Sequence, residues 1–143
     1  MKTILVLNGP NLNLLGVREP GVYGTLTLEE INRRVAREAE AMGGRVEFFQ
    51  SNHEGALVDR LQAAAGAVSG VVLNAGAYTH TSVALADAVS GTGLRVIEVH
   101  LSNVHKREAF RRHSFLSPVC EGVICGLGWK SYVLAVRALL TDD

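Results

Sequence analysis

Net charge is the first property that this sequence lacks. Its 143 residues include 14 Lys and Arg against 14 Asp and Glu, so the formal net charge at pH 7 is zero. Nonspecific binding to nucleic acid or to an anionic membrane surface depends on clustered positive charge. The balance therefore argues against a nucleic-acid-binding protein and against a polybasic membrane protein. A small domain without net charge also tends to self-associate, so the sequence is consistent with an oligomer.

Long apolar runs are also missing. A helix that spans a bilayer needs about 18 consecutive apolar residues, and no stretch of this chain approaches that length. The N-terminal run "ILVL" stops at Asn8. It is shorter than the roughly 7–15 residues of the apolar region in a signal peptide. We therefore expect a cytoplasmic protein that makes no membrane contact.

Cysteines and metal-binding patterns are scarce. Cys120 and Cys125 lie five residues apart in one apolar segment. On a strand they would point to opposite faces, so we interpret them as unbridged core thiols in a reducing compartment. No two histidines have metal-ligand spacing, which predicts no metal site. The chain has no G-x-x-x-x-G-K-[ST], and no G-x-G-x-x-G follows the first apolar run, which argues against the common nucleotide-binding loops.

What the sequence does contain is a regular alternation of short apolar runs with segments of helical period. Helices are indicated by apolar stripes, by a T-L-E-E capping box at Thr27, and by Thr81 or Ser82 as a further N-cap. The last stripe consists of Trp129, Val133, Val136 and Leu140. The runs typical of buried strands are "TILVLN" (3–8), "RVEFFQ" (45–50), "GVVLNA" (70–75), "LRVIEVHL" (94–101) and a run within "GVICGLG" (122–128).

Five apolar strands that alternate with helices predict an α/β fold with a parallel sheet covered on both faces. The crossovers between such strands are right-handed. We expect a flavodoxin-like, doubly wound five-stranded sheet in the order 2-1-3-4-5, formed by residues 1–143 as a single domain.

Polar side chains collect where these strands end. Ligands of doubly wound sheets bind outside the carboxyl ends of the strands, near the switch point between strands 1 and 3. A polar site is therefore expected at this edge. Its candidate residues are Asn8, Asn11 and Asn13 after strand 1, Asn74 and His80 after strand 3, and Glu98 and His100 at the end of strand 4.

Glu98 and His100 form the most informative pair. Residues i and i+2 of a strand point to the same face, so the carboxylate can accept a hydrogen bond from one ring nitrogen and fix the imidazole as a general acid. A structural salt-linked pair at a strand end explains the same pattern equally well. His80 alone is more typical of a loop or cap residue. Asn11 and Asn74 are also residue types that turns favour.

The loop "REPGVYG" (18–24) raises a separate question, because it combines Arg18 and Tyr23 with residues typical of a turn. Glycines in and around it permit the backbone changes of a lid over about 16–25. An inert surface turn, with Tyr23 packed on the core, is the alternative. A free tyrosine is a poor base, since about 0.1% is ionised at pH 7, a handicap of roughly 4 kcal/mol. Nearby guanidinium groups would lower its pKa.

The chain resembles the type II 3-dehydroquinate dehydratases (type II dehydroquinases). The matching blocks span nearly the whole chain in the family's order and spacing. They are "LNGPNLNLLGVREPGVYG", "FQSNHEG", "NAGAYTHTS", "IEVHLSNVHKREAFRRHS" and "GVICGLG".

This resemblance implies the third enzyme of the shikimate pathway, which supplies aromatic amino acids. Such a hydro-lyase removes water reversibly from 3-dehydroquinate by anti elimination, giving 3-dehydroshikimate through an enolate without a cofactor. It implies that Tyr23, as tyrosinate, is the base, and that His100, oriented by Glu98, is the acid. Arg18 then stabilises the charged transition state and, with Arg107, the tyrosinate.

The resemblance also implies the binding residues and the assembly. Asn11 would hold a water at the enolate oxygen, and Leu101 with Ser102 would hold the substrate carboxylate. Asp87 would contact the site of an adjacent subunit in a homododecamer built as a tetramer of trimers. The substrate hydroxyls would be held by Asn74, His80 and Arg111.

Two alternatives remain open from the sequence. One is a Schiff-base dehydratase, for which only Lys106 among the three lysines lies near the predicted site. The other is a non-catalytic flavodoxin-like binding module.

Overall fold

The computed structural model describes residues 1–17, 21 and 25–141. Within this part of the chain, five strands alternate with four α-helices. The strands are β1 (Thr3–Asn8), β2 (Arg45–Gln50), β3 (Gly70–Asn74), β4 (Val96–His100) and β5 (Gly122–Cys125). The helices are α1 (Leu28–Ala41), α2 (Glu54–Ala64), α3 (Val83–Thr92) and α4 (Lys130–Leu140).

The strands form one parallel sheet in the order β2-β1-β3-β4-β5, which confirms the predicted fold. The chain reverses direction across the sheet between β1 and β3. At this switch point Asn8 is the register partner of Asn74. The last residues of both strands therefore meet at the carboxyl edge, where a ligand site is expected.

Two apolar cores cover the two faces of the sheet. Helices α1 and α4 pack on one face, against residues such as Val6 and Val72. Helices α2 and α3 pack on the other, against residues such as Leu7 and Leu73. Since side chains alternate along a strand, Glu98 and His100 belong to the same face as Val96, the face of α2 and α3.

The helix starts agree with the capping signals in the sequence. Thr27 accepts from the Glu30 N–H while the Glu30 side chain accepts from the Thr27 N–H, which completes the capping box. Of the two candidates for α3, Ser82 is the cap, because its hydroxyl accepts from the Leu85 N–H at 2.9 Å. This bond anchors the start of α3 just beyond the strand ends.

Two sequence predictions need correction. Helix α4 buries Tyr132, Ala135 and Leu139 together with Val136, whereas Trp129, Val133 and Leu140 are only partly buried against the same core. The buried face is thus turned by about one residue from the predicted stripe. The two free cysteines are half-buried rather than core residues. Burial, helped by the charge of Glu98, raises the pKa of the Cys120 thiol to about 12.

A close backbone approach joins β1 to β3 at the carboxyl edge. The Gly9 N–H donates to the Asn74 carbonyl at 2.8 Å. A Cβ on Gly9 would lie only 2.3 Å from the carbonyl oxygen of Ala75, so no larger residue fits there without movement. None of the helices in the described ranges has the length and apolar character needed to cross a membrane.

Candidate active site

A pocket opens at the carboxyl edge of the sheet. Its wall contains Asn74 and His100, the last residues of β3 and β4, and Asn11 and His80 from the segments that follow β1 and β3. The segment after β4 supplies Leu101, Ser102, Arg107 and Arg111. Eight of the side chains predicted from the sequence thus surround one cavity, although they are spread over a hundred residues of chain.

Glu98 and His100 form a buried pair beside this pocket. His100 lines the cavity, and its Nε2 lies 2.5 Å from Glu98 Oε2. The two residues are 1% and 6% exposed, so the pair is shielded from solvent. An ionised carboxylate can only accept hydrogen bonds. Nε2 therefore carries a proton, and Nδ1 is the ring nitrogen left for chemistry in the pocket.

Two serines that the sequence did not single out complete the surroundings of Glu98. Ser114 and Ser117 both donate to Glu98 Oε1, at 3.0 Å and 2.7 Å. Burial opposes ionisation of Glu98, but the hydrogen bonds from His100 and Ser117, the charge of His100 and the bond from Ser114 outweigh it. Together they hold the pKa of Glu98 below its ordinary value. The carboxylate is therefore kept ionised and fixed in position.

His80 presents a second imidazole next to His100. Its Nδ1 donates to the backbone carbonyl of His113 at 2.8 Å, and the His80 and His100 rings stack with centroids 6.5 Å apart. Burial, with the nearby positive charges of His100 and Arg111, lowers the pKa of His80, although the bond to His113 opposes this. His80 is accordingly a neutral ring whose Nε2 is an acceptor.

Asn11 occupies an unusual backbone position. Its φ of 68° is left-handed, and among the described residues it is the only non-glycine with positive φ. Asn tolerates this region better than most residues, and such conformations concentrate at functional sites. The turn is held by Asn52, whose side-chain oxygen accepts from the Asn11 N–H at 3.0 Å. The left-handed backbone explains why an asparagine occupies this position, and the same residue also lines the pocket.

Arg107 and Arg111 approach the pocket from the segment after β4. Glu108 lies between them: its Oε1 is 3.2 Å from Arg111 Nε and 3.8 Å from Arg107 Nε. Both guanidinium side chains are mostly buried, at 15% and 20% exposure, whereas Glu108 is half exposed. The shared carboxylate offsets part of the repulsion between two cations that converge on one cavity.

Comparison with known proteins identifies the family. The family model described as dehydroquinase class II matches residues 2–140. The chain belongs to the class II dehydroquinase family. A protein named 3-dehydroquinate dehydratase from Azorhizobium caulinodans is 65% identical over 139 residues, covering 97% of this chain and 94% of that protein. A protein from Aspergillus terreus named catabolic 3-dehydroquinase 1 is 56% identical, covering 95% and 90%. The crystal structure of type II dehydroquinase from Butyrivibrio crossotus has a TM-score of 0.96 and 44% identity, covering 98% of each chain.

Arg18, Tyr23 and Asp87 are the remaining residues predicted to act in a class II dehydroquinase. Arg18 and Tyr23 lie outside the described residues. Asp87 is exposed on α3, in a shallow groove that Val58 and Ala88 also line, away from the strand ends. Its predicted contact with an adjacent subunit therefore stays a prediction.

The lysine required by the Schiff-base alternative is poorly placed. Lys106 is exposed and does not line the pocket, although its neighbour Arg107 does. Within the described ranges, no three His, Cys, Asp or Glu residues are grouped closely enough to hold a metal ion. The side chains that converge here are hydrogen-bonding and acid–base groups.

Proposed function

We propose that this class II dehydroquinase is a 3-dehydroquinate dehydratase of the shikimate pathway. It converts 3-dehydroquinate reversibly to 3-dehydroshikimate within one catalytic domain, residues 1–143, and needs no cofactor. The observation that carries the proposal is the buried Glu98–His100 pair, which places an oriented imidazole at the wall of a pocket lined by amides and guanidinium groups.

His100 is the general acid in this scheme. Because Nε2 is bonded to Glu98, Nδ1 delivers its proton to the hydroxyl that leaves, and the hydroxyl departs as water with the electrons of its C–O bond. Glu98 accepts from Nε2 and so holds the imidazole with Nδ1 toward the pocket for this transfer. General acid–base catalysis of this kind typically contributes a factor of about 10²–10⁴ in rate.

The base belongs to the opposite side of the substrate, since the elimination is anti. Tyr23, as tyrosinate, removes the proton from the carbon next to the ketone, and the electrons of that C–H bond form the enolate. Collapse of the enolate then forms the C=C bond as the hydroxyl leaves. Arg18 stabilises the charge that develops, and Arg107 helps Arg18 to keep the phenolate ionised. In this proposal a lid over about 16–25 brings Tyr23 and Arg18 to the substrate. Arg107 lines the pocket, which supports its part in this arrangement.

The remaining pocket residues hold the substrate. His80 accepts from a substrate hydroxyl through Nε2, which fits the donation of its Nδ1–H to the backbone. Asn74 and Arg111 bind further hydroxyls, and Leu101 with Ser102 binds the carboxylate. Asn11 positions a water at the enolate oxygen. All of them line the same cavity as His100, which supports their assignment to one ligand.

The proposed enzyme is a cytoplasmic homododecamer, a tetramer of trimers, in which Asp87 contacts the site of the adjacent subunit. The exposed position of Asp87 on α3, and of the apolar Val83 at 54% exposure on the same helix, is consistent with a covered surface there. Light scattering tests the assembly: a mass near twelve times 15.3 kDa supports it, and a mass near one chain contradicts it.

Enone absorbance after mixing the protein with 3-dehydroquinate tests the activity. His100→Asn is expected to lose about 10²–10⁴-fold in kcat, whereas His105→Asn, an exposed neighbour, is the matched control. Borohydride treatment during turnover separates the two dehydratase mechanisms. Covalent trapping of substrate would establish the Schiff-base route and overturn the enolate scheme, and absence of enone in the wild type would favour a binding module.

A further inference from the structure

Behind the pocket wall, Asn74, Tyr132 and Asn8 form a buried hydrogen-bonded chain, and only Asn74 has a part in the proposed reaction. The Tyr132 hydroxyl, on α4, donates to Asn8 Oδ1 at 2.6 Å. Asn74 Nδ2 donates to the same hydroxyl at 2.9 Å. Asn8 and Asn74 are register partners at the ends of β1 and β3. A helix on one face of the sheet is thus tied by one oxygen atom to both strands that flank the switch point.

The direction of this chain follows from a single backbone group. The Gly76 N–H donates to Asn74 Oδ1 at 3.2 Å, and a backbone N–H can only donate. Asn74 Oδ1 therefore faces Gly76, and its Nδ2 faces Tyr132. The Tyr132 oxygen accepts that bond, so its own hydrogen points to Asn8 Oδ1. Asn8 Nδ2 is left on the far side, buried and without a hydrogen-bond partner.

The buried hydroxyl of Tyr132 would destabilise the fold if it did not take part in these hydrogen bonds. Tyr132 has no exposed surface, and its side chain packs in the core between α4, α1 and the sheet. A phenylalanine would fill the same space without placing a polar atom in an apolar environment, which is unfavourable unless the atom is hydrogen-bonded. Burial, only partly offset by the bond from Asn74, raises the pKa of Tyr132 well above its ordinary value, so the hydroxyl stays neutral and retains its donor.

We propose that Tyr132 is a positioning residue for substrate binding: through its bond to Asn74 Nδ2 it fixes the Asn74 amide so that the second N–H is presented to the pocket. Asn74 lines that pocket, and this N–H has no acceptor among the described side chains. Asn74 thereby acts as a donor to a substrate oxygen. The inference rests on the proposed function, because it assigns the direction of one of that site's contacts.

Removing the hydroxyl releases both amides. In Tyr132→Phe the Asn74 N–H and Asn8 Oδ1 can pair directly only if a side chain moves into the space that the oxygen leaves. We expect Asn74, which has lost the partner that fixed its Nδ2, to move into that space and away from the substrate. Since an interaction made equally with substrate and transition state affects KM rather than kcat, we expect KM for 3-dehydroquinate to rise about three- to tenfold, with kcat within about twofold of wild type.

The experiment compares wild type, Tyr132→Phe, Asn74→Ala and the double variant in the assembled enzyme. Val136→Ala is the control, because Val136 lies in the same core and on the same helix but has no polar atom. It is expected to lose stability without a change in KM. In the double variant the effect of Tyr132→Phe on KM is expected to disappear, since Tyr132 acts through Asn74. Equal KM in Tyr132→Phe and wild type, or full additivity in the double variant, would overturn the inference.

A crystal structure of Tyr132→Phe gives a second measurement that does not depend on activity. The inference expects the Asn74 side chain to be displaced or rotated relative to wild type, and an unmoved Asn74 contradicts it. Asn8→Ala is the complementary variant: it removes the acceptor of the Tyr132 hydroxyl but keeps the bond from Asn74 Nδ2, so Asn74 is expected to stay in place. If wild type forms no enone, the proposed function fails, and the position of Asn74 still decides whether Tyr132 orients that amide.

Discussion

Ser117→Ala tests whether the carboxylate of Glu98 is held ionised by the groups around it. Ser117 makes the shorter of the two serine bonds to Glu98 Oε1, at 2.7 Å. Ser114 and His100 keep their own bonds in the variant, so the substitution removes one of three donors. A hydrogen bond to a charged group contributes about 1.5–3 kcal/mol. We expect the variant to lose about 1.5–2 kcal/mol of unfolding free energy at pH 7, the lower part of that range, because two donors remain.

The pH dependence of this loss has a definite sign. The pKa of Glu98 is lowered in the folded protein from its ordinary value of 4.5. A group with a lowered folded pKa contributes stability above its unfolded pKa, and that contribution is lost as the pH falls through the folded pKa. Loss of Ser117 raises the folded pKa toward the ordinary value. The stability difference between wild type and variant should therefore be full at pH 7 and shrink as the pH falls below 4.5.

Urea unfolding at several pH values, at one fixed protein concentration, measures this difference. Thr92→Val is the control, because the Thr92 hydroxyl donates to the neutral carbonyl of Val89 at 3.2 Å and its loss should cost the same at every pH. A Ser117→Ala deficit that is constant with pH would show that the bond does not stabilise an ionised carboxylate. A deficit below about 0.5 kcal/mol at pH 7 would show that the bond contributes little.

Three further substitutions test the two halves of the site and the edge of the sheet. Tyr23→Phe is expected to lower kcat by about 10²–10⁴-fold while substrate still binds, and near-wild-type turnover would show that Tyr23 is not the base. Arg18→Lys is expected to lower kcat/KM severely, because lysine lacks the planar fork of donors, and unchanged kcat/KM would remove Arg18 from the transition state. Gly9→Ala should cost at least about 1–3 kcal/mol in urea unfolding, since its Cβ would lie 2.3 Å from the Ala75 oxygen. The control Gly55→Ala meets nothing within 4 Å, and equal stability of the two variants would contradict the close approach.

The sheet could be predicted because each strand corresponds to a short apolar run between more polar segments of the sequence. Both faces of a parallel sheet are covered, so its strands lack alternation and are easily recognised. The buried face of α4 was harder to predict from the sequence. Trp129, Tyr132, Val133, Val136 and Leu139 are all apolar enough to face a core, so the helix carries overlapping stripes. Packing against β3 and β4 decides between them, and periodicity alone carries no such information.

Contacts in the site between residues near each other in sequence were predictable, whereas those between distant residues were not. Glu98 and His100 are two residues apart on a strand, so local geometry alone puts them together. Ser114 and Ser117 reach the same carboxylate from an irregular segment that returns 16 and 19 residues later. Tyr132 meets Asn8 across 124 residues of sequence. Some contacts depend on the path of an irregular segment or on which side of a helix faces the core. No regular spacing of residues in the sequence indicates such contacts.

The hydrogen bonds around Glu98 also bear on how the two halves of the proposed reaction can be separated by experiment. His100, Glu98 and the two serines are held by strand β4 and the segment that follows it, so the acid needs no rearrangement before proton transfer. Groups fixed in this way stabilise developing charge without a reorganisation cost. Substitutions at Ser114 or Ser117 should therefore alter the protonation step while leaving substrate affinity nearly unchanged. Substitutions at Tyr23 or Arg18, in the proposed lid, should instead act on proton removal from carbon, so a primary isotope effect on that carbon's hydrogen distinguishes the two.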